Sequence, residues 1–288
     1  MGKLILGTVQ MGLDYGINNS FGKISIEESH QILLKAYSSG ITTLDTAEAY
    51  GNAHQIVGVF HKNHPDYKFD IVTKVPYTIE ANSIEIKVKE YIEDLQVNCL
   101  DVLMFHSFDS FINNPNAMDV LVDLKRKGYI NNIGVSVYTN DQMEYLLNED
   151  SITVVQLPFN LLDNITIRGN LIAQLKAKGK IIHTRSVFLQ GLFFKNVNDQ
   201  NKNVKKLHSE LEILRQISRQ SCCSMEEMAL SYCLQQINID NVIVGVDSMN
   251  HLDANLKASS YTIGEELMQM INTIKVADLD ALNPSLWR

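Results

Sequence analysis

Three titratable side chains each end an apolar stretch of the sequence, and a tyrosine closely follows the first of them. Asp45 ends Ile-Thr-Thr-Leu-Asp, Lys74 ends Phe-Asp-Ile-Val-Thr-Lys, and His106 ends Val-Leu-Met-Phe-His; Tyr50 comes shortly after Asp45. One such residue alone is typical of a solvated rim, but three in succession favour a shared site. A carbonyl group that accepts a hydride needs a proton at its oxygen, where negative charge develops, and this set could supply it.

Each of the four side chains has a role in that interpretation. The ordinary pKa of a tyrosine phenol is about 10, which is too high for an ideal acid near neutrality. We expect the Lys74 ammonium to lower the pKa of Tyr50, because a nearby positive charge favours the phenolate. Asp45 would hold Lys74 and balance its charge, and His106 would orient the carbonyl with a hydrogen bond. This chemistry requires no metal ion, and we predict none.

The elements that must position these residues alternate along the chain. Short runs rich in Val and Ile alternate with segments of helical period, a pattern typical of βαβ units around a parallel sheet. The predicted strands are Lys3–Gly7, Ile41–Asp45, Phe69–Lys74, Leu100–His106, Ile133–Ser136, Val154–Leu157, Ile181–Arg185 and Asn241–Gly245. Eight units close a (β/α)8 TIM barrel, an α/β fold in which the carboxyl ends of the strands meet at one mouth. An open doubly wound sheet is less favoured, because Gly7-Thr-Val-Gln-Met-Gly lacks the G-x-G-x-x-G spacing.

Helix signals support the same organisation. Ser25 with Glu28, and Ser224 with Glu227, have the spacing of capping boxes. A polar, Asn-rich stretch after the seventh strand leads into an extra helix over about 204–221, and a tail helix is predicted over 264–276. Trp287 could dock on the barrel. Because no linker rich in Pro, Gly or Ser divides the chain, we expect one domain over residues 1–288.

Composition excludes some classes of function. The formal net charge of −8 disfavours a nucleic-acid partner, which needs a basic surface. No apolar run approaches the roughly 20 residues that span a bilayer, and the short first apolar run ends at Gly7, so we expect no membrane partner and no signal peptide. The four cysteines show no metal-ligand spacing and predict reduced thiols in a cytoplasmic protein.

With these motifs in register, the sequence resembles the aldo-keto reductases. Asp45-Thr-Ala-Glu-Ala-Tyr-Gly, then Lys74, then Leu-Met-Phe-His106-Ser, are similar to the family's catalytic tetrad in chain order. The resemblance continues through Ile133-Gly-Val-Ser, Val155-Gln-Leu-Pro-Phe-Asn, Arg185-Ser-Val-Phe-Leu-Gln-Gly and Val242-Ile-Val-Gly-Val-Asp-Ser. It therefore covers nearly the whole chain and implies reduction of a small carbonyl substrate by NADPH or NADH.

The resemblance also implies a set of cofactor contacts. Ser136 and Gln156 match the residues that contact the nicotinamide amide, and the segment from Arg185 matches the loop around the pyrophosphate. The implied cofactor-binding residues are Ser136, Gln156, Arg185, Ser186, Leu189, Gly191, Gly245, Asp247, Ser248, His251 and Asn255. Taken one at a time, Ser136 and Gln156 could equally be polar strand ends, and Gly191 and Gly245 could be turn glycines.

The chain departs from the family at the adenosine end. Asp247 occupies a position where relatives commonly have an Arg for the 2′-phosphate of NADPH, Ala254 replaces a usual Glu, and His251 replaces a Gln or Arg. A carboxylate repels a phosphate but accepts a hydrogen bond from a ribose 2′-hydroxyl. We therefore expect a weakened or reversed NADPH preference, with Arg185, Lys195 and Lys202 as remaining phosphate partners.

The first βα loop, which includes Tyr15 and Asn18, resembles a bacterial subgroup linked to surface-polysaccharide and modified-sugar pathways. These two side chains could bind a keto-sugar or sugar nucleotide, or the loop could simply be solvated.

The resemblance implies a monomer or dimer. Glu48, His54, His61 and His64 are interpreted as solvated or surface residues.

Two other functions stay open at this point. A reductase-like protein could bind the cofactor without catalysis, although such a protein has no need of Tyr50 together with Lys74. A barrel hydrolase could use Asp45 and Glu48, and an aldolase could use Lys74 as a Schiff-base amine.

Overall fold

The computed structural model describes residues 2–19 and 22–287 and contains a closed barrel of eight parallel strands in chain order. The strands are β1 Leu4–Gly7, β2 Thr43–Asp45, β3 Asp70–Val75, β4 Leu100–Phe105, β5 Ile130–Ser136, β6 Val154–Pro158, β7 Ile181–Arg185 and β8 Asn241–Gly245. Strand β1 closes the barrel, since Leu6 lies opposite Leu44 of β2 and Val244 of β8. The predicted (β/α)8 fold is confirmed, with strand ends displaced by at most a few residues. The predicted domain limits, residues 1 and 288, lie outside the described residues.

Helices surround the barrel and fill the connections. They are α1 Val9–Gly12, α2 Ile26–Ser38, α3 Ala53–Asn63, α4 Ala81–Leu95, α5 Phe108–Ile112, α6 Ala117–Arg126, α7 Asn140–Tyr145, α8 Ile165–Ala177, α9 Lys202–Lys206, α10 His208–Ser221, α11 Met225–Leu234, α12 Met249–Ser259 and α13 Glu265–Asn272. The extra helix predicted over 204–221 is divided into α9 and α10, because Leu207 adopts a non-helical backbone conformation and buries its side chain. The tail helix is shorter than predicted and ends at Asn272.

The strand alternation explains which side chains reach the mouth of the barrel. Val72, Val102, Met104 and Val154 form their own buried cluster with Ile181, separate from the larger core that the helices cover. Successive strand residues point to opposite faces, so residues two positions apart share a face. The interior rows therefore continue from Val72 to Lys74, from Met104 to His106, and from Val154 to Gln156.

The two predicted helix caps differ in detail. Ser224 and Glu227 form a complete capping box at α11. At α2, the Ser25 hydroxyl accepts a hydrogen bond from the Glu28 amide at 3.1 Å. The Glu28 carboxylate instead accepts one from the backbone N–H of Met249, at 3.3 Å, and so satisfies the start of α12. A side chain predicted to serve its own helix thus ties α2 to α12.

The surface interpretation of the histidines in α3 and at its C-cap is wrong. His54 and His61 are 4% and 0% exposed, and His64 is half-buried against Phe60. His61 Nδ1 donates to the Leu95 carbonyl at 2.7 Å, while its Nε2 accepts from the Phe69 amide at 3.1 Å. The helical spacing alone could not show this, because the partners come from the following strand and helix.

Glu48 is likewise half-buried and not a freely solvated loop residue. Its carboxylate accepts hydrogen bonds from Lys87 Nζ at 3.1 Å and from the Tyr91 hydroxyl, both on α4. It therefore anchors the loop after β2 to a helix.

The remaining predictions concern cysteines, membranes and the C-terminal segment. All four cysteines lie in the described part of the chain and are free thiols. Within residues 2–19 and 22–287, no helix is long and apolar enough to cross a membrane. Trp287 packs against the core and donates its indole N–H to the Ala281 carbonyl at 3.1 Å, whereas Leu286 stays exposed.

Candidate active site

A buried ion pair lies at the mouth of the barrel. Lys74 Nζ is 2.6 Å from Asp45 Oδ1 and 2.9 Å from the carbonyl oxygen of Thr46. The same nitrogen is 3.5 Å from the Tyr50 hydroxyl and 5.1 Å from the centre of its ring. The fold therefore brings Lys74 to Asp45 and Tyr50, which lie more than twenty positions earlier in the sequence.

Gln156 completes the hydrogen bonding of the carboxylate. Its Nε2 donates to Asp45 Oδ2 at 2.8 Å, so both carboxylate oxygens have partners. Gln156 lies opposite Ser136 of β5 in the parallel register, and both side chains are buried. The sequence predicted these two residues as nicotinamide contacts, but it did not indicate that Gln156 also supports Asp45.

His106 lies beside the tyrosine. Its ring centre is 5.8 Å from that of Tyr50, and the ring of Tyr77 stacks on it at 4.5 Å. His106 Nδ1 is buried and has no hydrogen-bond partner among the described residues. Because orphaned buried N–H groups are rarer than orphaned acceptors, this arrangement favours the tautomer with the proton on Nε2.

Burial sets the charge states of these groups. Burial, reinforced by the charges of Lys74 and Arg185, lowers the pKa of His106 to about 3, so its imidazole is neutral near pH 7. Burial, and then the Asp45 carboxylate, raises the pKa of Tyr50 well above its usual value. The expected lowering of the Tyr50 pKa is therefore wrong for the protein alone: desolvation raises it, and the positive charge that opposes the shift is that of Arg185. Burial also lowers the pKa of Lys74, and Asp45 opposes that shift.

The loop that carries Tyr50 lies directly on the first helix of the chain. A Cβ atom at Gly12 would be 1.7 Å from the carbonyl oxygen of Tyr50. No side chain can be accommodated at that distance, so Gly12 is required for the backbone of the Tyr50 loop to approach α1.

A cavity of about 400 Å³ extends from Tyr50 across the mouth to α12. Twelve of the predicted site residues line it. They are Tyr15, Asn18, Asp45, Tyr50, Gln156, Arg185, Ser186, Gly191, Gly245, Asp247, His251 and Asn255.

Five predicted site residues are not part of this lining: Lys74, His106, Ser136, Leu189 and Ser248. Lys74 and His106 contact Tyr50, and Ser136 lies beside Gln156. Ser248 is the N-cap of α12, where its side chain accepts from the His251 amide. The Leu189 side chain is fully buried in the hydrophobic core, so it does not face the cavity. Lys195 and Lys202, considered as phosphate partners, are not among the lining residues.

A comparison with known protein families gives one match. The family model of the aldo/keto reductase family matches residues 3–276, nearly the whole chain. The chain belongs to the aldo-keto reductase family.

Two relatives from Escherichia coli illustrate the distance within the family. The chain is 22% identical over 271 residues to the NADH-specific methylglyoxal reductase of strain K12, covering 81% of this chain and 83% of the relative. It is 23% identical, over an alignment of 319 positions, to the L-glyceraldehyde 3-phosphate reductase of strain O157:H7. That alignment covers 96% of this chain and 91% of the relative.

A solved structure shares the fold. The holo form of an aldo-keto reductase from Bacillus halodurans has a TM-score of 0.77 and 21% identity, covering 94% of this chain and 91% of that one. Family membership makes this reductase an NAD(P)H-dependent oxidoreductase that reduces a carbonyl. The lyase, hydrolase and non-catalytic alternatives are thereby set aside.

The cavity of the reductase fits a dinucleotide. Gln10 Oε1 is a buried acceptor with no partner among the described residues, as a site for ribose or amide donors would require. A Cβ atom at Gly245 would lie 2.8 Å from Gln10 Nε2, so the glycine lets the Gln10 amide lie directly against β8. Gln10 was not predicted from sequence, because a lone glutamine in a short helix carries no motif.

Other residues missed by the sequence analysis come from three separate elements. Glu226, in the first turn of α11, lines the cavity, as Asp247 does. Phe188 and Phe194 line it from the loop after β7, and Tyr77 covers His106. Their spacing along the chain is irregular, so only the folded barrel brings them together.

Proposed function

We propose that the reductase delivers a proton to its carbonyl substrate from Tyr50, with Lys74, Asp45 and His106 in supporting roles. The observation that carries this proposal is the 3.5 Å contact between Lys74 Nζ and the Tyr50 hydroxyl within a buried ion pair. A bound nicotinamide supplies the hydride. Ser136, Gln156 and the cavity residues of β8 and α12 would hold that cofactor.

Tyr50, Lys74 and His106 each have a separate role in the transfer of the proton. The raised pKa of Tyr50 keeps the phenol protonated near neutrality, so the proton is available for transfer. As the proton moves from Tyr50 Oη to the substrate oxygen, the phenolate charge is stabilised by the ammonium of Lys74. Neutral His106 donates from Nε2 to the same substrate oxygen and orients it. Solvent then returns a proton to Tyr50.

The adenosine end supports a preference for NADH. The Asp247 side chain is 13% exposed, and its carboxylate lies against His251 Nδ1. Glu226 adds a second carboxylate to the lining of the cavity. Two carboxylates disfavour a 2′-phosphate and can accept a hydrogen bond from a 2′-hydroxyl. A relative named as NADH-specific shows that the family includes this preference.

The first βα loop supports a hydroxylated substrate, of the keto-sugar or sugar-nucleotide class. Tyr15 and Asn18 line the cavity, and Tyr77 exposes 54% of its surface next to His106. Tyrosine rings can pack on the apolar face of a sugar while their hydroxyl groups bind polar atoms.

The proposal is tested by Tyr50→Phe, which removes the proton and keeps the ring. We expect NADH to bind with nearly unchanged affinity, measured by fluorescence, while turnover of a generic aldehyde falls at least 100-fold. Phe108→Leu, a substitution in the first turn of α5 and outside the cavity lining, serves as control. A Tyr50→Phe variant with ordinary turnover would refute the assignment of the proton donor.

A further inference from the structure

The mouth of the barrel contains two arginines close to Tyr138, and their surroundings differ. Arg168 is buried and donates to both oxygens of Asp163, at 2.6 and 2.9 Å, and to the Tyr138 carbonyl at 2.7 Å. Arg185 places its guanidinium 4.1 Å from the centre of the Tyr138 ring. Its Nη2 donates to the Val137 carbonyl at 3.2 Å, and its Nη1 is 3.4 Å from Ser186 Oγ.

Only one of these two cations is neutralised by the described chain. Arg168 has a bidentate carboxylate partner, whereas no described carboxylate lies within ion-pair distance of Arg185. The nearby Lys74 is also balanced, by Asp45. A guanidinium carries five N–H donors in a fixed fork, and Arg185 uses only a part of them. A half-buried cation without a counter-ion is unfavourable unless a ligand supplies one.

Arg185 is oriented toward the reacting end of the cavity. It ends β7, two positions after His183, and therefore belongs to the interior face of the strand. It lines the cavity together with Tyr15 and Tyr50. Burial raises the pKa of Tyr77 and of Tyr15, and the charge of Arg185 opposes both shifts, which agrees with its place among these hydroxyl groups.

We propose that Arg185 is the receptor for an oxoanion carried by the carbonyl substrate, a phosphate or a carboxylate, with Tyr15, Tyr77 and Tyr138 around it. Arginine binds both groups in a bidentate manner, and its stacking on Tyr138 fixes the fork before the substrate arrives. This inference rests on the proposed function, because it names the substrate class of the same site. It also changes the role expected from the sequence, in which Arg185 contacts the cofactor.

Matched pairs of carbonyl compounds test this assignment. We would compare glycolaldehyde phosphate with glycolaldehyde, and 4-oxobutanoate with butanal, at saturating cofactor. For the wild type we expect kcat/KM to be at least 10-fold higher for the charged member of one pair, and the pair that shows this identifies the oxoanion as phosphate or carboxylate. In Arg185→Gln the ratio of charged to neutral substrate should fall 10- to 100-fold, mainly through KM. Arg185→Lys should retain part of the ratio.

Two controls separate this inference from the proposed function. Arg126→Gln removes an exposed guanidinium on α6 and should leave the ratio unchanged. Binding of 2-hydroxyethyl phosphate and of 4-hydroxybutanoate, measured by calorimetry with NAD⁺ present, needs no turnover, and the tighter of the two should weaken at least 10-fold in Arg185→Gln. A ratio and an affinity that do not change in Arg185→Gln would overturn the inference, as would an effect on cofactor affinity alone. Failure to reduce any carbonyl would instead overturn the proposed function.

Discussion

At the scale of single residues, the most informative feature is a charge pair that is almost free of water. Lys74 and Asp45 are 1% and 4% exposed, and their mutual contact replaces the hydration that both have lost. Removal of one partner from such a pair leaves an uncompensated buried charge, which is far more destabilising than removal of both. In the proposed mechanism, the same two side chains therefore serve both catalysis and stability.

This coupling predicts a non-additive result. Lys74→Met and Asp45→Asn should each lower the free energy of unfolding by roughly 3–5 kcal/mol. The double variant should recover most of that loss, because no buried charge is left alone, yet all three should lack turnover. Urea unfolding of the four proteins gives the comparison. Lys127→Met, in an exposed pair, is the control. Losses that simply add in the double variant would contradict the account.

In the proposed function, the preference for NADH over NADPH depends mainly on the Asp247 carboxylate. In the wild type, NADH should bind at least 10-fold more tightly than NADPH, because Asp247 repels a 2′-phosphate. Asp247→Ala should reduce the ratio of the two dissociation constants, and Glu226→Gln should reduce it to a smaller extent. Titration of both cofactors against each variant measures the ratio. A strong NADPH preference that persists in Asp247→Ala would contradict the hypothesis that Asp247 disfavours NADPH.

At the scale of elements, two loops meet across the cavity. The backbone N–H of Ile17 donates to the Gln190 carbonyl at 3.2 Å, and Gln190 Nε2 donates to the Tyr15 hydroxyl at 2.8 Å. The loop after β7 achieves this with non-glycine residues in the left-handed region, including Leu189 and Gln190 at φ of 47° and 54°. Such backbone conformations are unfavourable and tend to occur at functional sites.

The side-chain contact between these loops should slow the release of the cofactor. Gln190→Ala removes one partly exposed hydrogen bond and keeps the backbone contact, so we expect dissociation of NADH to become about threefold to tenfold faster. Stopped-flow fluorescence measures this rate. Tyr15→Phe should have a similar effect, and Gln200→Ala, which alters an exposed glutamine outside the cavity lining, should have none. An unchanged rate in both Gln190→Ala and Tyr15→Phe would show that the contact does not hold the cofactor.

At the scale of the whole molecule, several histidines are buried in the neutral form. Burial lowers the pKa of His54 to about 4 and that of His106 to about 3, and it also lowers the pKa values of His61 and His183. An unfolded histidine has a pKa of about 6.5. Below that pH the unfolded chain binds protons that the folded protein excludes, so stability is lost as the pH falls.

We therefore expect the free energy of unfolding to fall steeply from pH 6.5 toward pH 4. His54 alone should contribute roughly 3 kcal/mol over this interval, at about 1.4 kcal/mol per pH unit. Urea unfolding at several pH values should show a shallower slope for His54→Gln, by up to one proton. His208→Gln removes an exposed imidazole and serves as control. Equal slopes in His54→Gln and the wild type would exclude a role of His54 in the acid sensitivity.

The barrel and the proximity of Asp45, Lys74 and His106 could be predicted from the sequence, because the patterns that indicate them lie within short stretches of the chain. A strand that is buried on both faces leaves a short apolar run, and a barrel places the end of every run at one mouth. The positions of Asp45, Lys74 and His106 at three such ends therefore predicted their proximity without any knowledge of distances. Tyr50 was predicted from the motif Asp45-Thr-Ala-Glu-Ala-Tyr, which is also a short stretch of sequence.

Only the tertiary structure decided which side chains from distant segments meet. The burial of His61 depends on Leu95 and Phe69, the contact of Tyr15 depends on Gln190, and the direction of the Tyr50 pKa depends on the desolvation of the whole mouth. Likewise, the sequence shows Arg168 and Arg185 as two similar cations. Only the fold gives a carboxylate to the first and places the second in the cavity lining without a carboxylate among the described residues. Local periodicity determines where chains turn and which face is apolar, whereas burial and pairing across the barrel are collective properties of the packed elements.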